Sequence, residues 1–321
     1  MRPQNRNGFE IAIVCALTLE ADTVESLLDE IYDKFGRVYG KQLGDPNAYI
    51  TGRIGQHHVV ICILPGKGKA SAASAAASLR SSYTCIQLAL VVGICGGFPS
   101  RDVDIKLGDI IVSDSVIQYD FGRQYPDGFR RKRDVKDILG RPNQEIRALL
   151  NGLKGYTTRQ ELQNRAYDHL RTLQMKLGRN WKYPGVEHDV RLKAFDRCRH
   201  DRQDAEDEGI CLECNSGADS IGDDTLEAVK PSIYTGAIAS ADMVMQSAEH
   251  RNRTAQEEGV IGFEMEGAGV WDNFPCIIIK GVCDYANIQK NKIWQDYAAA
   301  TAASGAKAFL EYWAPRHSEP C

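Results

Sequence analysis

Short apolar runs, each long enough for one buried strand and each followed by a stretch of helical periodicity, constrain this chain more than any other feature. Phe9–Cys15 reads as the first such strand. Thr18–Tyr32 reads as the helix behind it, with Leu19, Val24, Leu27, Leu28 and Ile31 near helical spacing and Thr18 placed to cap its start. His58–Leu64 is a second strand, and the Ala- and Ser-rich segment Lys69–Leu79 a helix after a glycine turn. Leu88–Val92 and Asp109–Ser113 add two more strands. This βαβ rhythm calls for an α/β fold, with a mixed or parallel sheet covered by helices on both faces.

The rhythm breaks between about Gly122 and Pro231, where charge density rises and strand-like runs vanish. Helices are predicted at Asn143–Leu153 and Arg159–Leu177, followed by Pro184-Gly185, His188-Asp189 and the acidic run Asp201–Glu208. Too little of this stretch is apolar to bury a core alone. It is therefore expected to be a long charged insertion, at about 123–231, within a single domain spanning 1–321. The sheet pattern resumes at Ile233–Ser240, and a helix at Trp294–Trp313 closes the chain.

With 43% apolar residues among 321, the chain can build a full core. A net charge of −4 gives no reason to expect a nucleic acid or an anionic membrane surface as partner. No apolar run approaches the roughly 18 residues of a spanning helix, and the polar Met1–Gly8 lacks the apolar region of a secretory signal. An intracellular, cytoplasmic protein is expected. Of the ten cysteines, Cys15, Cys62, Cys95, Cys276 and Cys283 fall in or beside apolar strands, where cysteine serves as a small hydrophobe rather than half of a disulfide.

Chemistry is expected beyond the carboxyl ends of the strands. Gly262-Phe263-Glu264-Met265-Glu266-Gly267-Ala268-Gly269 puts two carboxylates between an apolar run and a small-residue helix start. Ile277-Ile278-Ile279-Lys280-Gly281-Val282-Cys283-Asp284-Tyr285-Ala286 puts a third one step past a buried-looking strand. Glu20 sits one turn into the first helix, where the helix dipole alone would favour an acid. Gly66-Lys67-Gly68-Lys69 joins a strand to a helix; it is either a tight turn with solvated lysines or a phosphate cradle, and lacks P-loop spacing. Gly93-Ile94-Cys95-Gly96-Gly97 ends a strand, and either relieves crowding or lets a ligand approach the backbone. Arg130-Arg131-Lys132-Arg133 reads as solvated surface or a phosphate grip. Cys198, His200, Cys211 and Cys214 supply four ligand types for zinc at unusual spacing, or free thiols in an exposed loop.

Together these segments resemble the purine nucleoside and uridine phosphorylase superfamily, and within it the nucleosidase-like domain that fungi attach to receptor proteins with NACHT, ankyrin or TPR regions. The resemblance rests on Tyr119-Asp120-Phe121-Gly122, Ile238-Ala239-Ser240-Ala241-Asp242-x-Val244-Met245, Phe263-Glu264-Met265-Glu266, Gly281-x-Cys283-Asp284-Tyr285-Ala286 and Asn291-Lys292-x-Trp294-Gln295-x-Tyr297-Ala298. It runs from Phe9 to Trp313, and implies a three-layer sandwich around a central mixed sheet, no cofactor or metal in the chemistry, and a homo-oligomer.

Bacterial methylthioadenosine/S-adenosylhomocysteine nucleosidases resemble the chain at Ala16 to Glu20, Glu264-Met265-Glu266 and Cys283-Asp284. The resemblance implies that Glu20 helps activate water, Glu266 binds the ribose hydroxyls, Met265 packs near the sugar and Asp284 protonates the purine at N7. Cys283 stands where those enzymes have a serine, which puts only a helper hydrogen bond in doubt. Purine phosphorylases carry a phosphate-holding arginine and a serine or threonine at the positions of Val91 and Ile94. An apolar pair cannot satisfy a dianion, so water is the expected nucleophile.

Asp284 is expected in a partly buried, apolar neighbourhood of Ile279, Val282 and Cys283. Further substrate contacts are expected from Gly93, Ile94, Cys95, Gly96, Val244, Met245, Phe263 and Glu264. Relatives in immune-type receptors are implied to cleave adenine nucleotides, ATP included. ATP or dATP is the expected substrate, with Lys67, Lys69, Arg123, Arg130, Lys290 and Lys292 as phosphate-binding candidates. The alternatives are a phosphate-dependent purine nucleoside phosphorylase and a catalytically silent nucleotide-sensing module. The chain is either free-standing or a piece of a longer receptor.

Overall fold

The architecture is that of a computed structural model describing residues 2–100, 103–134, 139–189, 229–290 and 292–314. Cys198, His200, Cys211, Cys214, the run Asp201–Glu208 and Asn291 lie outside the described residues. The main sheet contains β1 (Ile11–Cys15), β2 (Glu30–Lys34), β3 (Ala48–Ile54), β4 (His57–Ile63), β5 (Leu88–Gly97), β6 (Ile110–Gln118), β9 (Ile233–Ser240), β10 (Val260–Glu264) and β11 (Cys276–Asp284). A separate hairpin is formed by β7 (Gly122–Tyr125) and β8 (Gly128–Arg131). The helices are α1 (Thr18–Ser26), α2 (Lys69–Ser82), α3 (Gln144–Leu153), α4 (Tyr156–Leu177), α5 (Ala248–Glu258), α6 (Gly267–Trp271) and α7 (Ile293–Leu310).

The sheet order is β10-β9-β6-β11-β5-β1-β4-β3-β2. Strands β4, β1, β5 and β11 run parallel, while β2, β3 and β6 enter antiparallel pairings, so the sheet is mixed as expected. Parallel strands are covered on both faces and read as continuous apolar runs; all five residues of β1 are buried. Helices α2 and α6 pack on each other on one face, and α1, α4 and α7 gather on the other. The opposite-facing positions Ile278 and Gly281 of β11 meet these two layers: Ile278 abuts Gly267 of α6, and Gly281 abuts Ala298 of α7. One further pairing bends the sheet. Strand β10 pairs antiparallel with β5 through Gly262–Gly97 and Phe263–Gly96, closing β5, β11, β6, β9 and β10 into a ring.

Four expectations are corrected. The first helix stops at Ser26, and Glu30–Lys34 is an edge strand paired with β3. Ile31, apparently part of a helical stripe, is 41% exposed, while Tyr32 and Asp33 turn inward. Strand β3 itself was not anticipated; its run is interrupted by Thr51, Gly52 and Arg53 and lacks a clean period. Leu17, not Thr18, is the N-cap of α1, because the Glu20 side chain reaches back to the free N–H groups there. Strands do occur after Gly122: besides Tyr125, the β7–β8 hairpin has Phe129 as its one large apolar side chain, which leaves no apolar alternation to read. It is tied down by Arg131, which donates to the Gln118 carbonyl (2.8 Å) and pairs with Glu258 (2.5 Å).

The two helices of the charged stretch are less detached than their composition suggested. Asn143 caps α3 by accepting from the Ile146 N–H. Helix α4 buries Leu162, Ala166, Leu170 and Leu173 and packs along α7.

Candidate active site

A cavity of about 190 Å³ opens where β1, β5, β10 and β11 end. Glu20, Glu264, Glu266 and Asp284 all line it, with Ile94, Cys95, Gly96, Met265 and Cys283 between them. Tyr119, Met243, Val244, Met245, Phe263 and Ala286 form an apolar wall suited to a flat base or sugar face.

Glu20 is 2% exposed and held from three sides. Its Oε2 accepts from the Ala16 and Leu17 N–H groups (2.9 Å each), and its Oε1 accepts from the Ile94 N–H (2.9 Å). A Cβ on Gly93 would fall 2.1 Å from Glu20 Oε1, so β5 needs glycine there for α1 to deliver its carboxylate. Gly93 thus stands behind Glu20 rather than at the cavity surface. Burial raises the Glu20 pKa against the pull of Lys280, and Glu266 raises it further.

Strand β10 delivers Glu264, which turns back to accept from the N–H groups of Glu266 (2.9 Å) and Gly267 (3.0 Å). That clasp fixes the start of α6 and aims Glu266. The Glu266 Oε1 accepts from the Gly68 N–H (3.3 Å), and its Oε2 accepts from Lys280 Nζ (3.1 Å). Gly68 has φ +106°, and a Cβ there would press on Asp242, so the turn before α2 also requires glycine.

Lys280 is the residue that sequence reasoning passed over. It is 1% exposed in the middle of β11, with Nζ 3.1 Å from Glu266 and 3.5 Å from Glu264. Burial disfavours its charge, but Glu266, Glu264 and Glu20 outweigh burial and hold its pKa above the ordinary lysine value. Three carboxylates therefore share one ammonium. Burial raises the Glu264 pKa, as it does that of Glu20, with Lys280 opposing and Glu266 adding to the rise. The available signal was a lone charge inside the apolar run Ile277–Val282, a place where an unpaired ammonium would not be tolerated.

Asp284 ends β11 facing the cavity. Its Oδ1 accepts from the Ala286 N–H (2.8 Å), and its Oδ2 lies 3.5 Å from Lys290 Nζ. Its surroundings are thus more polar than Ile279, Val282 and Cys283 suggested, since Ile279 and Val282 are in the core and a cation closes one side. Burial pushes the Cys283 thiol well up, with Asp284 adding to the effect. The thiol donates to the Cys95 carbonyl (3.4 Å) and approaches Asp284 Oδ2 (3.5 Å).

The basic candidates separate clearly. Among the described residues, Lys67 and Lys290 are the cations lining the cavity. Lys69 is tied up: its ammonium pairs with Asp120 and its N–H donates to Asp242 (2.6 Å), while the Asp242 N–H donates to Asp120 (2.9 Å). This clamp joins the turns after β4, β6 and β9. Arg123, on the hairpin, and Lys292, just before α7, do not line the cavity. Arg130 pairs with Asp127 on the hairpin surface. No group of three or more metal-ligating side chains occurs among the described residues, and no described helix is long and apolar enough to cross a membrane.

Comparison with known proteins agrees with this architecture. A nucleotide-binding leucine-rich repeat (NLR)-like protein of Hyaloscypha variabilis is 34% identical over 97% of the chain, which spans about 30% of that relative's length. A 5′-methylthioadenosine/S-adenosylhomocysteine nucleosidase of Mycobacterium bovis is 25% identical, covering 81% of the chain and 82% of the relative. Futalosine hydrolase of Helicobacter pylori has the same fold, with a TM-score of 0.58 at 16% identity over 95% of the chain and 98% of its own. The family model of the phosphorylase superfamily matches residues 10–311, and the chain belongs to that superfamily.

Proposed function

We propose that this chain is a nucleosidase, using water to break the N-ribosidic bond of purine nucleosides and nucleotides, with ATP or dATP as substrate. The observation that carries the reading is the convergence of Glu20, Glu266 and Asp284 on one cavity. In the reaction, the bond from C1′ to the base breaks, its electron pair stays with the base, and Asp284 gives its proton to N7. The sugar passes through an oxocarbenium-like state, as in glycoside hydrolysis. Glu266 accepts hydrogen bonds from O2′ and O3′, and its negative charge steadies the developing positive one. Water held by Glu20 attacks C1′ and passes its proton to Glu20. Adenine and ribose 5′-triphosphate leave, or the 2′-deoxy sugar from dATP.

Water rather than phosphate is favoured by the same geometry. At the positions where a phosphorylase would hold the dianion, Val91 is buried in the core, and the Ile94 N–H is already given to Glu20. An incoming phosphate would meet the Glu20 carboxylate at that place. The naming of the mycobacterial relative as a nucleosidase supports hydrolysis, and Lys67 and Lys290 at the cavity support a nucleotide. Assembly into a homo-oligomer and a cytoplasmic setting belong to the same proposal. The test is chromatography of the products from ATP and from adenosine. Free adenine is expected, falling about 10²- to 10⁴-fold with Asp284→Asn. Adenine release that survives in Asp284→Asn would contradict the assigned acid.

A further inference from the structure

Lys290 has no part in the chemistry above, yet its ammonium lies 3.5 Å from the Asp284 carboxylate and lines the same cavity. The pair presents a difficulty. While the ammonium sits there, both Asp284 oxygens are engaged, Oδ1 by the Ala286 N–H and Oδ2 by Lys290, and neither is open to a leaving base. Cys283 does not resolve it, because its thiol, besides donating to the Cys95 carbonyl (3.4 Å), donates to the same Asp284 Oδ2 (3.5 Å). Lys290 lies at the rim, with its side chain 32% exposed, on the exposed loop between β11 and α7, so it can swing without disturbing the core.

Resting on the nucleosidase reading, we propose that Lys290 is a specificity-determining residue that makes cleavage depend on a 5′-phosphate chain. In a nucleotide, that chain can fold back towards N7 of its own purine, the atom Asp284 must protonate. The phosphates draw the Lys290 ammonium off Asp284, through a contact between full charges that outcompetes a single carboxylate. Asp284 Oδ2 is then open to the base and gives its proton to N7 as the C1′–N9 bond breaks. A neutral nucleoside offers Lys290 nothing, and Asp284 stays paired. Lys67, the other cation lining the cavity, supplies a second contact for the phosphates.

The experiment compares kcat/KM for ATP and for adenosine in the wild type, Lys290→Met and Lys290→Arg. In Lys290→Met, ATP cleavage is expected to fall about tenfold or more, the worth of one charge-assisted phosphate contact. Adenosine cleavage is expected to rise, and Lys290→Arg to keep the nucleotide preference. A merely structural role would lower both substrates by the same factor, and that parallel loss would overturn the proposal. So would a wild type that prefers adenosine, which leaves the nucleosidase reading standing. A wild type that releases adenine from neither substrate would remove the nucleosidase reading itself, and the proposal with it.

Discussion

Glu20 is the residue on which the hydrolytic reading depends most, and its environment makes that dependence measurable. Its pKa is raised by burial from the ordinary value of 4.5. Below the raised value Glu20 carries a proton and cannot take one from water, so the acid limb of kcat/KM is expected above pH 4.5. A pH–rate profile still flat at pH 4.5 would contradict the assignment. For stability the sign is opposite: the folded chain holds the Glu20 and Glu264 protons more tightly than the unfolded chain, so raising pH from 4.5 through the folded values costs stability as both ionise. Gly93→Ala should push Glu20 out of place, since its new Cβ would lie 2.1 Å from the carboxylate. A misplacement of about 1 Å costs on the order of 100-fold in rate, to be read as kcat on the folded variant. Lys280→Met strands two buried carboxylates and should destabilise the fold by roughly 3–5 kcal/mol in chemical denaturation, with loss of activity. Glu264, Glu266 and Asp284 were legible because each follows an apolar run that can be read as a strand, whereas Glu20 alone read as an acid at a helix start and stood out only through the family resemblance. Lys280 was not legible, because its partners lie 16 and 14 positions away in sequence and meet it only once β10 and β11 are in one sheet.

At the level of elements, local pattern located most strands but not their ends. Ile233–Ser240 is found at the residues expected, whereas Leu88–Val92 continues to Gly97, because the glycine-rich end pairs with β10. The helical stripe through Ile31 failed for a tertiary reason: pairing with β3 outweighed a short amphipathic period. Helix α4 illustrates the converse. Its surface is charged, so composition suggested a loose insertion, yet Leu170 is fully buried against the body of the domain. Leu170→Ala is therefore expected to cost about 2–5 kcal/mol of global stability, measured as a drop in denaturation midpoint. A cost near zero would mean that α4 opens independently of the sheet.

Across the whole molecule, the site exists because the sheet bends. The β10–β5 pairing swings Glu264 and Glu266 towards Glu20 and Asp284, which the parallel part of the sheet already places side by side. The mixed α/β architecture was legible from the βαβ rhythm, but this ring closure was not, because Gly262 and Gly97 carry no pattern that marks them as partners. Val91 is buried in the core and the Ile94 N–H is hydrogen-bonded to Glu20, and both support water over phosphate in the proposed reaction. The most direct test is the rate of adenine release from ATP by the purified protein, in phosphate-free buffer and again with added inorganic phosphate. The rate is expected to be the same in both, with ribose 5′-triphosphate as the second product and loss in Glu20→Gln. Release that requires phosphate and yields a sugar 1-phosphate would contradict the hydrolytic account.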